Sequence, residues 1–442
     1  MQRRHFLLSS AAVAAATLPG CGGGTNEAVM AESALRETTL SRESRRPKPP
    51  VSTTPKARVI VIGGGMAGAT VAKYLRLWGD AVEVTLVERS PTYTSCIMSS
   101  LVLTGQRTLS SLVFNYDTLR SKYGVKTVFE EVVAVDPVSV KVTLASGTVL
   151  TADRIVMAPG IEFDPVPGLT DPNAMPNAWK AGAQTTLLAQ QLKAMPTGGT
   201  AVLTIPKAPY RCPPGPYERA CLIADWMRVN KPQGKLLVLD ANPGFVTEVD
   251  NFSRAFFDLH GRVIEYRTNV VIDSVDAASR TLFTSGGAVQ GDVVNLIPSQ
   301  RAGKIVQATG LASAPGGRFA GVNVLDYAST AAPKVHVLGD SSATTQPKAG
   351  HVANQEAKTC ADALARIFAG SSPDPAPVTN SACFSTITMT QASWLHALFQ
   401  YDPATATMVP MPAATGASVG WNGDHFEDMG EWFRALMADS FS

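Results

Sequence analysis

RVIVIGGGMAG, residues 58–68, is the stretch that decides the fold. A run of Val and Ile ends in three glycines, a helical pattern of apolar residues follows as far as Leu77, and a second Val-rich run ends at Glu88. These segments predict a strand, a helix and a second strand, with the pattern G-x-G-x-x-G between the first strand and the helix. An acidic residue about 20 positions after the glycines completes the pattern of a dinucleotide-binding unit.

The glycines and the acidic residue of this unit have separate physical roles. Gly63 permits the tight turn, Gly65 lets the backbone approach a pyrophosphate, and Gly68 lets the helix pack closely on the strand. The free N–H groups at the start of the helix face the phosphates. Glu88 is expected to accept hydrogen bonds from ribose hydroxyls.

Two further turns indicate that the dinucleotide is FAD. A strand pattern at 335–338 leads into Gly339-Asp340, and another at 154–157 leads into Ala158-Pro159-Gly160. FAD-binding reductases with two dinucleotide domains have similar turns, in which the Asp holds the ribityl or phosphate part of the flavin. Because the signals occur in the expected order, Gly339 and Asp340 are predicted to bind FAD.

Strand patterns that alternate with helical patterns recur along the chain, for example at 201–205 and 235–239. This alternation predicts mostly parallel sheets covered by helices. We therefore predict an α/β fold with two dinucleotide-binding (Rossmann-like) domains of the disulfide-reductase type and a C-terminal α+β layer. The predicted organisation is a signal peptide at 1–21, a flexible tether at 22–56, the first part of the FAD-binding domain at 57–165, a second Rossmann-like domain without a nicotinamide site at 166–285, the second part of the FAD-binding domain at 286–369, and a C-terminal interface domain at 370–442.

The second Rossmann-like domain lacks the glycines that would bind a nicotinamide dinucleotide. After the strand at 201–205 the chain reads IPKAPYRCPPGP, residues 205–216, in place of a second G-x-G-x-x-G. Proline fixes φ and has no N–H group, so this loop cannot surround a pyrophosphate with backbone donors. The reductant is therefore predicted not to be NADH or NADPH.

Composition excludes several other classes of protein. The chain has 442 residues, of which 45% are hydrophobic and 17% charged, and this predicts a large buried core rather than disorder. A net charge of +2 gives no basic face for nucleic acid. Six cysteines are too few for a scaffold held together by disulfides, so each cysteine is interpreted separately.

The first 21 residues are typical of a signal peptide. Arg3-Arg4 precedes a short apolar run, which favours export to the periplasm by the twin-arginine route, although an ordinary secretory signal fits the same pattern. The run is too short for a membrane span, and no transmembrane span is predicted in the mature chain. Leu18-Pro19-Gly20-Cys21 resembles a lipoprotein cleavage box, which would place a lipid on Cys21.

Several stretches resemble the flavoprotein subunit of flavocytochrome c sulfide dehydrogenases. TSCIMS, AWKAGAQT, RCPPGPYERA, NLIPSQRAGKI, HVLGD and PKAGH follow the order of that family, and the resemblance covers roughly residues 57–442. It implies oxidation of sulfide to sulfur or polysulfide with FAD, through a redox-active disulfide, and transfer of electrons to a c-type cytochrome. The chain has no Cys-x-x-Cys-His, so a haem would belong to a partner, either a c-type cytochrome subunit or soluble cytochrome c.

The resemblance also implies roles for three cysteines and one glutamate. Cys96 corresponds to the cysteine that forms a thioether to the flavin, which would make the FAD covalent. Cys212 and Cys383 correspond to the redox-active pair, and Glu218 corresponds to a carboxylate near them that could act as a base for the incoming sulfide. From the residues alone, the cysteines also fit buried structural thiols, and Glu218 also fits a carboxylate at a helix start or a salt bridge to Arg219.

Four other residues carry weaker predictions. Cys221 and Cys360 lie in apolar helical patterns and are predicted to be core residues. Lys348 and His351 follow the Gly-Asp turn and are candidates for the wall of the flavin site.

Other functions fit parts of the same sequence. A sulfide:quinone oxidoreductase has this fold and a cysteine pair, and the apolar tail at 432–437 leaves a membrane-facing C-terminus open. An accessory flavoprotein of a sulfur-oxidation system would keep the site without turning over sulfide. An NADH-dependent reductase is disfavoured by the proline-rich loop.

Overall fold

The structure is a computed structural model that describes residues 55–442. The predicted signal peptide at 1–21, including Cys21, and nearly all of the predicted tether at 22–56 lie outside the described residues. The described part contains both sheet systems and the cavity discussed below.

The strands, in chain order, are β1 (Ala57–Ile62), β2 (Val82–Glu88), β3 (Thr92–Thr94), β4 (Val113–Asn115), β5 (Lys126–Phe129), β6 (Val132–Asp136), β7 (Lys141–Leu144), β8 (Val149–Thr151), β9 (Arg154–Met157), β10 (Ile161–Phe163), β11 (Thr200–Ile205), β12 (Lys235–Asp240), β13 (Ile264–Arg267), β14 (Ile272–Asp276), β15 (Thr281–Thr284), β16 (Gly287–Gln290), β17 (Val293–Asn295), β18 (Gln300–Ala302), β19 (Ala320–Gly321), β20 (Ala328–Ser329), β21 (Ala332–Val337), β22 (Ser342–Ala343), β23 (Val378–Thr386), β24 (Ala392–Asp402) and β25 (Thr407–Ala417). The α-helices of residues 55–442 are α1 (Met66–Trp78), α2 (Ser100–Leu103), α3 (Asp117–Ser121), α4 (Ala183–Ala194), α5 (Gly215–Asn230), α6 (Val249–Ser253), α7 (Lys304–Ala308), α8 (Gly350–Phe368) and α9 (Gly423–Phe441).

The first sheet is built around β1. Its strands lie in the order β20-β21-β9-β1-β2-β5. All pairs from β21 to β5 are parallel. Val61 and Ile62 belong to different apolar clusters, one on each face, so the sheet is buried on both sides as its unbroken Val and Ile runs predict. The register aligns Ile62 with Met157, and Met157 with Val337. The turns that follow these strands therefore meet at one edge of the sheet.

A second parallel sheet has the order β13-β12-β11-β17. The C-terminal layer consists of the antiparallel sheet β23-β24-β25 followed by helix α9. Two sheets of the dinucleotide-binding type and a C-terminal α+β layer confirm the predicted fold class. Within residues 55–442, no helix combines the length and the apolar character needed to cross a membrane.

Helix α9 is held against the first sheet system by a buried polar network. The Lys73 ammonium donates to the backbone carbonyls of Ala438 at 3.3 Å and Asp439 at 2.9 Å. The Asp439 carboxylate accepts a hydrogen bond from the Tyr74 hydroxyl at 2.5 Å and pairs with Lys358 at 2.7 Å. These contacts come from α1 and α8, so they fix the C-terminal layer beside the edge where the glycine turns meet.

Candidate active site

A cavity of about 580 Å³ opens at the carboxyl edge of the first sheet. Its wall also includes the start of α5, strand β23 and helix α9. Of the residues predicted from sequence to form the site, those that line the cavity are Gly63, Gly65, Glu88, Cys96, Cys212, Glu218, Gly339, Asp340 and Cys383. Gly68, the remaining predicted residue, does not line the cavity. The fold thus brings together residues that are far apart in the chain.

The glycine turn between β1 and α1 leaves no room for side chains at two of its positions. Gly63 has a φ of +94°, and a Cβ there would lie 2.5 Å from the carbonyl oxygen of Ala158. A Cβ at Gly68 would lie 1.7 Å from the carbonyl oxygen of Gly63. Gly65 differs, because the nearest protein atom to a Cβ there is in the Tyr93 ring at 3.7 Å, and this glycine faces the cavity. Helix α1 starts directly after it and presents its first N–H groups to the same space.

Glu88 braces the glycine turn from the end of β2. Its Oε2 accepts a hydrogen bond from the Gly64 N–H at 2.7 Å, and its Oε1 accepts one from the Ser90 N–H at 3.1 Å. Sequence reasoning assigned this carboxylate to ribose hydroxyls and did not anticipate the bond to the turn. Each carboxylate oxygen has a second lone pair, so Glu88 can still accept from a ligand in the cavity that it lines.

The Gly339-Asp340 turn presents an unsatisfied acceptor. Asp340 Oδ1 is buried and has no hydrogen-bond partner among the described residues. Burial raises the pKa of Asp340, and the positive charges of Arg211 and Lys348 oppose that rise. The Gly339 N–H donates to Glu356 Oε2 at 2.6 Å, which fixes the turn from α8. A free buried acceptor, a glycine turn and a free helix start are what a flavin dinucleotide requires, so the residues present fit FAD.

Cys212 and Cys383 lie in contact on the cavity wall. Both are free thiols, and the hydrogen bond between their side chains, together with burial, raises the pKa of Cys383 well above its ordinary value. Cys212 has a φ of +59°, which is uncommon outside glycine, and its N–H donates to the Lys348 carbonyl at 2.6 Å. Cys96 lies elsewhere on the same wall, where its sulfur accepts a hydrogen bond from the Ala181 N–H at 3.4 Å.

Glu218 lies in the first turn of α5, beside the cysteine pair. Burial raises its pKa to about 7, while the Thr386 hydroxyl, which donates to its Oε1 at 2.8 Å, opposes the rise. Arg219 turns its guanidinium away, to the Asn295 side chain at 3.0 Å and to the Ala178 carbonyl at 3.0 Å. Glu218 and Arg219 therefore do not form the salt bridge that the sequence left open.

The side chains of His351, Trp179 and Trp432 also line the cavity. His351 Nδ1 accepts a hydrogen bond from the Ala382 N–H at 2.9 Å, so His351 holds the strand next to the cysteine. Trp179 and Trp432 line the cavity, and each has an indole N–H without a partner in the described part of the chain. Trp179 lies in AWKAGAQT, one of the stretches that resemble the sulfide dehydrogenase family, but no role was predicted for this tryptophan. Trp432 lies in the apolar tail, where no local pattern marks it as a wall residue.

The second sheet has a different arrangement at the corresponding edge. Asp240 ends β12, as Glu88 ends β2, but its carboxylate is already satisfied within the protein. Oδ2 accepts from the hydroxyls of Tyr217 at 2.8 Å and Tyr266 at 2.7 Å, and Oδ1 accepts from Asn242 at 2.8 Å. Each oxygen of the Asp240 carboxylate therefore accepts two hydrogen bonds from within the protein.

The remaining described cysteines lie away from the cavity. Cys221 and Cys360 are both fully buried in apolar clusters, as their helical patterns predict.

Lys348 does not contribute its ammonium to the main cavity wall. It is buried, donates to the Ser342 carbonyl at 2.5 Å and lies 3.8 Å from the centre of the Phe319 ring.

Two protein families match different parts of the chain. Residues 185–298 match the central region of the flavoprotein chain of flavocytochrome c sulfide dehydrogenase, and residues 57–195 match the pyridine nucleotide-disulphide oxidoreductases. A stretch of 45 residues is 47% identical to the sulfide dehydrogenase flavoprotein chain of Chlorobaculum thiosulfatiphilum, covering 10% of this chain and 94% of that sequence. A stretch of 108 residues is 35% identical to the apoptosis-inducing factor homolog B of Dictyostelium discoideum, covering 24% of this chain and 26% of that protein.

Solved structures with the same fold include the sulfide:quinone oxidoreductase of Aquifex aeolicus. It superposes with a TM-score of 0.72 at 16% identity, over 87% of this chain and 91% of that one. A chain of the putidaredoxin reductase–putidaredoxin complex superposes with a TM-score of 0.61 at 18% identity, over 78% and 82%. At these identities the likeness shows the fold alone.

Proposed function

The chain belongs to the flavoprotein family of flavocytochrome c sulfide dehydrogenases, and from this we propose that it oxidises sulfide to sulfur or polysulfide with FAD and passes the electrons to a c-type cytochrome. The observation that carries the proposal is the contact between the Cys212 and Cys383 thiols on the wall of a cavity whose other residues fit FAD. Two thiols in contact can form a disulfide, and a disulfide is the electrophile that hydrosulfide requires.

FAD, held by the glycine turn, Glu88 and Asp340 and attached through Cys96, would supply the acceptor that takes electrons as a pair from the cysteines and releases them one at a time. The residues of the chain carry the rest of the reaction. Hydrosulfide attacks one sulfur of the Cys212–Cys383 disulfide, so that a new S–S bond forms as the old one breaks. One cysteine then carries a persulfide and the other is left as a thiolate.

Glu218 is the residue proposed to receive the proton that hydrosulfide loses in this attack. A pKa of about 7 lets it be ionised before the attack and protonated after it, near neutral pH. Re-oxidation joins the persulfide and the thiolate through the added sulfur, with loss of one electron pair. Further hydrosulfide then removes that sulfur as polysulfide and regenerates the disulfide.

A quinone is the alternative electron acceptor. The observation that favours it is the fold shared with the sulfide:quinone oxidoreductase of Aquifex aeolicus. Quinone analogues should inhibit turnover if quinone is the acceptor and leave it unchanged if cytochrome c is. Measurable steady-state turnover would also distinguish either enzyme from an accessory flavoprotein that does not oxidise sulfide.

We further propose that the protein acts in the periplasm after export by the twin-arginine route. The support is the Arg3-Arg4 segment, which lies outside the described residues. This location suits a partner that is a c-type cytochrome. Replacing both arginines by lysine should leave the protein in the cytoplasm, as cell fractionation would show.

We expect sulfide, but not NADH, to bleach the flavin absorbance of the anaerobic protein. The reason is that Asp240, the acceptor expected for the adenosine ribose of NADH, already accepts hydrogen bonds from Tyr217 and Tyr266. The measurement is an anaerobic absorbance titration, first with sulfide and then with NADH. Bleaching by NADH alone would contradict the proposed function while leaving the flavin fold intact.

We expect Cys96→Ser to convert a covalently bound FAD into a dissociable one. Cys96 is the cysteine on the cavity wall outside the Cys212–Cys383 pair, and an oxygen in its place forms no thioether. After acid precipitation, flavin should remain with the wild-type protein and appear in the supernatant of the variant. Cys360→Ala, a change at a fully buried cysteine, is the matched control and should keep its flavin. Release of flavin from the wild type would show that the attachment is absent.

A further inference from the structure

Glu248 occupies an unusual position behind the cysteine pair. It immediately precedes α6, and its φ of +46° lies in the left-handed region that glycine normally occupies. Its carboxylate is partly buried and accepts hydrogen bonds from the hydroxyls of Ser385 at 2.5 Å and Ser393 at 2.6 Å. A strained backbone held by two side-chain bonds is a feature that often accompanies a functional role.

The two serines bind Glu248 to the strand that carries Cys383. Ser385 on β23 and Ser393 on β24 are directly opposite each other in the register of the antiparallel pair. Thr386, the next residue of β23, donates to Glu218 at 2.8 Å. Two carboxylates, one in the first turn of α5 and one immediately before α6, therefore hold consecutive residues just beyond Cys383.

Burial is the largest cause that raises the pKa of Glu218, and Glu248 is the charged group that adds to the rise. On α5 itself, Arg219 lowers the pKa of Glu218, and on β23 the Thr386 hydroxyl and N–H also lower it. The neighbouring thiols are Cys221 on α5 and Cys383 on β23, and the charges of both Glu218 and Glu248 raise the pKa of each. Among the described charged groups that influence Glu218, Glu248 carries the like charge, and a like charge favours the protonated form.

We propose that Glu248 is a positioning residue of the reaction: through Ser385 and Ser393 it holds the Cys383 strand against Glu218, and its carboxylate adds to the burial that favours proton uptake by Glu218. This inference rests on the proposed function, in which Glu218 receives the proton of hydrosulfide. Burial raises the pKa of Glu248, and the hydrogen bonds from Ser385 and Ser393 oppose that rise by favouring its ionised form. Glu248 does not line the cavity, and it influences the reaction through Glu218 and through the strand that carries Cys383.

The test compares the pH dependence of kcat/KM for sulfide in the wild type and in Glu248→Gln. Removing a like charge favours the ionised form of Glu218, so the ionisation seen in the profile should move to lower pH by about 0.5 to 1 unit. Asp250→Asn removes an exposed carboxylate two residues further along and should leave the profile unchanged. Glu218→Gln should abolish the ionisation and so identify it.

A second readout does not depend on turnover. Difference infrared spectroscopy of the sulfide-free protein should show a protonated-carboxyl band that titrates and that is missing in Glu218→Gln. The pH at which half of this band is lost should be lower in Glu248→Gln than in the wild type. It should be lower by a smaller amount in Ser393→Ala, because loss of one hydrogen-bond donor favours the protonated form of Glu248. Ser393→Ala also serves if Glu248→Gln does not fold.

The outcomes separate this inference from the proposed function. If the wild type does not oxidise sulfide, the proposed function is wrong, whatever the infrared titration shows. If the wild type oxidises sulfide but neither midpoint moves in Glu248→Gln or in Ser393→Ala, the role of Glu248 is overturned and the proposed function stands.

Discussion

Cys212→Ser is expected to lower the rate of sulfide oxidation by on the order of a thousandfold or more, because the variant has no disulfide for hydrosulfide to attack. Serine has nearly the size of cysteine, so the left-handed backbone at this position and its N–H bond to the Lys348 carbonyl should persist. The flavin should also be retained, since Cys96 and Asp340 are unchanged. The measurement is anaerobic reduction of the bound flavin by sulfide, followed by steady-state reduction of cytochrome c.

The matched control is Cys221→Ala, which changes a fully buried cysteine of α5 that lies off the cavity wall. It should keep its turnover. Cys383→Ser should fail to the same extent as Cys212→Ser, and the double variant should be no worse, because the two sulfurs act as one unit. Full sulfide oxidation by Cys212→Ser would remove the disulfide mechanism and would leave a flavoprotein that is reduced by another route.

The sequence predicted those features of the fold that short segments determine. The Val and Ile runs around residues 58–62 and 82–87 predicted buried parallel strands, because only a sheet covered on both faces buries every side chain of such runs. The glycines at 63, 65 and 68 predicted the turn, since their spacing follows the geometry of one strand entering one helix. The structure places the turn and both strands where these patterns predict them.

Contacts between distant segments could not be predicted in the same way. Nothing local to Glu248 or Ser385 indicates that they meet, because the register of β23 and β24 and the position of α6 decide it. The contact between Cys212 and Cys383 was expected from family resemblance alone, since cysteine spacing does not determine pairing.

The second sheet also contains contacts between distant segments that the sequence could not predict. The proline-rich loop predicted that its nucleotide site had been lost, because proline removes backbone donors. The hydrogen bonds to Asp240 became visible only in three dimensions, where the hydroxyls of Tyr217 and Tyr266 donate to its carboxylate. Hydroxyls that come from a helix and from another strand leave no pattern in the sequence around the carboxylate.

The second large effect is expected at the glycine turn, where Gly68→Ala should destabilise the fold and remove the flavin. A Cβ at this position would lie 1.7 Å from the backbone carbonyl oxygen of Gly63, so helix α1 and the turn must move apart. Steric overlap of this kind costs about 1 to 3 kcal/mol, and we expect the upper end of that range because no flexible side chain can give way. Thermal unfolding and the flavin content of the purified protein measure the two consequences.

Gly65→Ala separates the loss of flavin from the loss of stability. A Cβ there has no protein atom closer than 3.7 Å and points into the cavity, so we expect the free energy of unfolding of the flavin-free protein to fall by about 1 kcal/mol or less. The methyl group would instead stand between the start of α1 and a pyrophosphate, and flavin affinity should fall at least about tenfold because the N–H contacts lengthen. If Gly65→Ala bound FAD as tightly as the wild type, the pyrophosphate would not lie at this turn. If Gly68→Ala folded normally, helix α1 would not depend on the close approach that the structure shows.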